Sequence, residues 1–126
     1  MNMRAKLKNV IAYHIGDDLP NYIPDDVENV GIWFDLMIGP DGADGNESFQ
    51  VFVCTPKWLS ANHNKDDIVV GRPNLIIFEY DYDRLVHQLH TIINQYTGDN
   101  WPEIGEKLTR LGYWEFEDYD DTPIDI

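Results

Sequence analysis

Apolar and polar residues alternate most clearly between Gly31 and Cys54. Ile32, Phe34, Leu36 and Ile38 fall on one phase of a period of two, and Trp33, Asp35 and Met37 fall on the other. A Gly/Pro/Asp-rich stretch, Gly39 to Asn46, breaks the pattern, and Phe49 to Cys54 resumes it. There Phe49, Val51 and Val53 share one face, while Ser48, Gln50, Phe52 and Cys54 share the other. The pattern predicts a β-hairpin in which each strand has a more apolar side to bury. Thr55 is a good N-cap and Pro56 suits a first helical turn, so Lys57, Trp58 and Leu59 begin a short helix.

Upstream, residues 4 to 13 place Ala5, Leu7, Ile11 and Tyr13 on one face and Arg4, Lys6 and Lys8 on the other, which predicts a half-buried strand with a basic outer side. Opposite charges stabilise cross-strand pairs, so that basic side is expected near Asp35 or the pair Glu115 and Glu117. Downstream, Leu75 to Tyr80 is nearly continuous in apolar residues and reads as a strand covered on both faces, hence central in the sheet. A helix follows at once, with Asp81 as N-cap and Leu85, Leu89, Ile92, Ile93 and Tyr96 on one stripe, ending at Thr97-Gly98. Asn100 with Glu103 resembles a capping box for a second helix striped by Trp101, Ile104, Leu108 and Leu111, with Gly112 suited to a left-handed cap. Residues 113 to 117 read as a last strand. These elements predict an α+β fold: about five strands in a mainly antiparallel sheet, two consecutive helices packed on one face, and a short helix after the central hairpin. At 126 residues, with no linker or internal repeat visible, the chain is expected to be a single domain ending in an acidic tail, residues 117–126.

Charge changes the picture more than any other bulk property. Nine Lys and Arg against 23 Asp and Glu give a formal net charge of -14. Such a chain repels nucleic acid phosphates and anionic membrane surfaces and fits a basic partner. Two stretches concentrate that charge. The long polar connection from Gly16 to Val30 carries Asp25, Asp26 and Glu28, and the C-terminal end carries Glu117, Asp118, Asp120 and Asp121 around Tyr119. Long loops within small domains are often functional, so these residues are the candidate partner-binding set.

The search for catalytic or cofactor chemistry gives little. Asp83, His87 and His90 fall on the polar side of the first long helix at metal-compatible spacing, which also suits a solvent-exposed face. The loop from Gly39 to Asn46 has acids and glycines, but Ala43 interrupts any calcium-ligand series and turn chemistry accounts for its residues. Cys54 is the only cysteine and lies in a predicted strand, where a buried, inert thiol is expected. Among the four tryptophans, Trp33 shares its face with Asp35 and Met37 and is the one expected to be exposed. No cofactor is implied. The apolar run Val10 to Ala12 is too short for a signal-peptide core and no stretch is long enough to span a bilayer, so the chain is expected in the cytoplasm.

Leu36-Met37-Ile38-Gly39-Pro40, Glu47-Ser48-Phe49 and Val53-Cys54-Thr55-Pro56-Lys57-Trp58-Leu59, with Gly71-Arg72, Phe78-Glu79-Tyr80-Asp81, Lys107-Leu108, Gly112 and Trp114-Glu115-Phe116-Glu117, resemble the immunity protein 8 family. The resemblance covers nearly all of the chain. It implies a small, non-enzymatic bacterial protein that binds and neutralises a cognate toxin domain of a polymorphic or contact-dependent system. Charge adds a mechanism: an acidic surface docking on a basic toxin surface, as a nuclease toxin would present. The alternatives are a metal-binding protein or enzyme built on Asp83, His87 and His90, and a homo-oligomeric scaffold using an exposed strand edge.

Overall fold

The period-two alternation folds as a hairpin of β2 (Gly31–Pro40) and β3 (Glu47–Cys54), with Ile32 opposite Val53, Phe34 opposite Val51 and Leu36 opposite Phe49. The computed structural model describes residues 2–116, and within them the hairpin sits at the centre of a six-stranded sheet. β1 (Met3–Ile11) lies antiparallel on the far side of β2, and β5 (Thr97–Gly98) extends the sheet beyond β1. The outer edge of β3 is shared. β4 (Asn74–Ile76) runs parallel to Phe52–Cys54, and β6 (Tyr113–Trp114) runs antiparallel beside Phe49 and Gln50.

Local chemistry starts the helices where the sequence places them. The Thr55 hydroxyl accepts from the Trp58 N–H at 3.3 Å to open α1 (Pro56–Asn62), and Asp81 accepts from the Arg84 N–H at 3.2 Å to open α2 (Tyr82–Ile93). Asn100 accepts from the Glu103 N–H at 2.9 Å to open α3 (Trp101–Leu108), while the Glu103 carboxylate reaches back to the Asp99 N–H at 3.1 Å. Leu85, Leu89 and Ile93 of α2 and Ile104 and Leu108 of α3 join one buried cluster with Leu7, Phe34, Leu36, Phe49 and Val51. The two long helices therefore cover one face of the sheet, and each side chain so buried contributes about 1.5–3 kcal/mol.

Several expectations need correcting. β1 carries a bulge between Leu7 and Asn9, so Lys8 is an extra residue and the inward phase passes from Ala5 and Leu7 to Val10 and Ala12. Tyr13, expected inside, is 75% exposed for that reason. The basic side chains of β1 also find other partners than carboxylates. Arg4 donates to the Asn94 carbonyl, and Lys8 donates to the carbonyls of Ala43 and Gly45, tying the hairpin loop to β1. That loop turns at Gly42 and Gly45, both with positive φ.

The apolar run from Leu75 to Tyr80 is an edge, not a centre. Only Asn74–Ile76 forms a strand, bonded to β3 alone, and Phe78 is 78% exposed. An unbroken apolar run says that side chains on both faces are hydrophobic, but not that neighbours exist to cover them. The last strand is likewise short, and Gly112 does not take the left-handed conformation. A Cβ on Gly112 would lie 2.3 Å from the Gln50 carbonyl oxygen, so the glycine is there to let the chain pass against β3. The connection from Gly16 to Val30 is anchored to the body: Leu19, in a 3-10 turn at Leu19–Asn21, and Val30 are buried, and the Tyr22 ring meets Tyr80 edge-on at 5.9 Å.

Candidate functional site

The face of the sheet turned away from α2 and α3 has a different composition. Residues opposite one another on neighbouring strands share a face, so the register assembles rows across it. One row runs Ile11, Asp35, Gln50, Tyr113 across four strands, and the next runs Trp33, Phe52, Asn74. Met37 opposite Ser48 begins a third. The Trp33 ring is 5.1 Å from Phe52 and 6.5 Å from Tyr113, and Phe52 meets Trp58 of α1 at 4.9 Å. Trp58 fits over this end of the sheet because Gly31 has no side chain; a Cβ there would stand 2.3 Å from the indole.

At the centre of this aromatic field is a carboxylate. Asp35 is only 8% exposed, accepting from the Ser48 hydroxyl at 3.1 Å and from the Gln50 amide at 3.4 Å. Both donors are neutral, and among the described residues no lysine or arginine comes within ion-pair distance of it. Two adjoining grooves open above it. One, of about 310 Å³, is lined by Tyr13, His14, Trp33, Asp35 and Gln50. The other, of about 480 Å³, shares Tyr13, Asp35 and Gln50 and runs on past Met37 and Ser48 to Tyr113 and Glu115. At its far side the Arg72 guanidinium lies 4.7 Å above the Tyr113 ring.

Of the acidic residues singled out in the sequence, Asp25 and Glu28 are exposed on the long connection. Asp26 between them is engaged, accepting from Lys57 Nζ at 2.6 Å and from the Glu28 N–H at 3.0 Å. The Lys57 ammonium, then the Glu28 N–H, hold its carboxyl below the usual range. Glu117, Asp118, Tyr119, Asp120 and Asp121 lie outside the described residues. Asp83, His87 and His90 are all exposed along α2, and among the described residues no three His, Cys, Asp or Glu side chains gather closely enough to hold a metal. Cys54 is buried, and burial pushes its thiol pKa up, away from the reactive thiolate. No helix among the described residues is long and apolar enough to cross a membrane.

Sequence reasoning placed Trp33 on the exposed side but gave Asp35 only a role beside the basic strand. The usable signal was phase: Trp33 and Asp35 of β2 and Gln50 and Phe52 of β3 all fall on the less apolar side of their strands. Register, which alternation alone does not determine, is what brings them together with Tyr113.

With this geometry in view, the comparisons identify the class. The family model described as Immunity protein 8 matches residues 5–119, and the chain belongs to that family. Membership implies an immunity protein, one whose partner is a toxin. Neither a curated protein nor a solved structure matches the chain.

Proposed function

We propose that the chain neutralises a cognate toxin domain by binding it, without chemistry of its own, and that an acidic surface docks on a basic surface of the toxin. The observation that carries this reading is the match to Immunity protein 8 over residues 5–119. The net charge of -14 supports the electrostatic part. An acidic inhibitor approaching a basic toxin, such as one that holds nucleic acid phosphates, is steered to association rates of up to about 10⁸–10⁹ M⁻¹s⁻¹ at low salt. The exposure of Asp25 and Glu28 to solvent supports a part for them in this steering, and the acidic stretch from Glu117 to Asp121 adds charge of the same sign. Asp26 contributes least, because Lys57 already balances it. The action is proposed to take place in the cytoplasm.

The test is survival of cells co-expressing this chain with the toxin domain encoded beside it, followed by co-purification of the two. Rescue with a stable complex is expected; soluble, folded chain that neither rescues nor binds would sink the reading. A second reading has one observation in its favour. Ile68, Val70, Ile76 and Phe78 are all exposed around the edge strand β4, which suits self-association. A monomeric mass in solution at high concentration would dispose of it.

A further inference from the structure

We infer that the open face of the sheet is where the partner docks, and that an arginine of the partner enters the groove above Asp35, its guanidinium on the carboxylate and against the Trp33 and Tyr13 rings. This rests on the immunity reading, which supplies a protein partner, and adds which face is used and what chemistry it recognises.

Folding alone does not require a carboxylate at position 35. A carboxylate 8% exposed among strands loses hydration, and two neutral donors, one at 3.4 Å, replace little of it. Each carboxylate oxygen can accept more than one hydrogen bond, so Asp35 retains acceptor capacity toward the grooves that it lines. An apolar residue in its place would suit an isolated sheet better. Trp33 and Tyr13 stay 40% and 75% exposed on the groove wall, leaving aromatic surface in contact with water.

Arginine fits this setting better than lysine. Guanidinium is planar, weakly hydrated and always charged; it bonds a carboxylate through two parallel N–H groups and stacks on aromatic faces. The chain shows the aromatic half of that pairing within itself, where Arg72 lies over Tyr113 at the end of the face. Exposed aromatics around a desolvated charge also match the make-up of energetic centres in protein interfaces, where Trp, Tyr and Arg are enriched. Asp25 and Glu28 sit differently. They are exposed charges on the long connection, suited to speeding approach, whereas Asp35 is suited to holding the docked partner.

That division of labour makes the proposal testable with the toxin domain encoded beside the chain as probe, by surface-immobilised binding kinetics. Asp35→Asn keeps size and an acceptor for Ser48, and it should raise the dissociation rate about 30-fold or more while changing the association rate little. Gln50→Lys, at an exposed position beside Asp35, supplies a cation of the chain's own and should weaken binding similarly; it carries the test should Asp35→Asn fold poorly. The pair Asp25→Asn and Glu28→Gln should instead slow association and flatten its salt dependence. Alanine replacements of the toxin's arginines, repeated against Asp35→Asn, should reveal one arginine whose loss costs nothing further in that background.

If wild-type chain binds and both Asp35→Asn and Gln50→Lys stay within about threefold of it, the proposed face is wrong and the immunity reading survives. If binding falls but no toxin arginine couples to Asp35, the arginine assignment is overturned. A wild-type chain that dimerises through this face, with Gln50→Lys restoring the monomer, overturns it in favour of a second copy as occupant. Wild-type chain that binds no toxin removes the immunity reading and this inference together.

Discussion

The two sides of the β2–β3 hairpin share one backbone and carry opposite chemistry. Phe34, Leu36, Phe49 and Val51 point toward α2 and α3 and are completely buried. Trp33, Asp35 and Gln50 point the other way, into grooves edged by β6 and the turn after β1, and Phe52 beside them packs against Trp58 of α1. The covered side is explained by folding alone, because each residue is apolar and touches others of its kind. The open side is not: it holds a half-satisfied carboxylate and aromatic rings in contact with water. Residues that folding alone does not account for are the ones to examine for binding.

The covered side is the more sensitive of the two to truncation. Phe49→Ala removes a ring stacked on Trp114 at 5.8 Å and should cost about 3–5 kcal/mol in urea unfolding, a large part of a small domain's stability. Trp33→Ala, on the opposite phase of the same hairpin, should cost about 1 kcal/mol and leave the cooperative transition intact. Equal losses would mean that the open face is a second core. Between these lies Gly105→Ala in α3. The new Cβ would meet the Trp114 indole at 2.6 Å, so overpacking should cost about 1–3 kcal/mol and alter the near-ultraviolet circular dichroism of the tryptophans, even though alanine is the better helix former.

Thr55→Ala tests the junction where the two sides meet. The hydroxyl caps α1 through Trp58 N and also accepts from the buried Val30 N–H at 3.1 Å. Removing it loses a cap and leaves a buried donor unpaired, for about 1–3 kcal/mol by urea unfolding. Thr55→Ser should restore most of that, since the acceptor returns.

What could be read in the sequence divides along the same line. The hairpin, the helix stripes and the caps at Thr55, Asp81 and Asn100 are local features, written within a few residues of where they act. The inserted Lys8, which reverses the phase of β1, and the placing of Leu75–Ile76 at an edge depend on which strands become neighbours. The open-face site is the extreme case. Asp35, Gln50 and Tyr113 lie far apart in the chain and become a row only through two registers, so composition drew attention to the visible acids at Asp25, Asp26 and Glu28 instead. One of those, Asp26, turns out to be tied to the fold by Lys57.

That pair gives the smallest and most specific effect. Lys57 Nζ donates to Asp26 at 2.6 Å, which lowers the Asp26 pKa from 3.8, with help from the Glu28 N–H, and raises that of Lys57 from 10.5. A carboxyl that ionises more easily folded than unfolded contributes stability above about pH 3.8, and this is lost as pH falls through its lower folded value. For the lysine the sign reverses: its contribution is present below about pH 10.5 and lost as pH rises through the higher folded value. The alkaline flank is shared with Tyr80, whose buried hydroxyl is pushed up to about 12 and so also withdraws stability above pH 10. The acid flank is therefore the cleaner readout, although Glu103, lowered by the Asp99 N–H and then by Lys107, contributes there too. Lys57→Met should leave in place the Glu103 part of the acid slope and the share of the Asp26 part that the Glu28 N–H supplies, and remove only the Lys57 share, seen as a shallower fall of the urea midpoint below pH 5. Both side chains of the pair are largely solvent-exposed, so 0.5 M salt should shrink the difference between variant and wild type. A difference that persists undiminished in salt would mean that Asp26 and Lys57 pair in a drier setting than their exposure indicates, and would take Asp26 still further from the residues available to a partner.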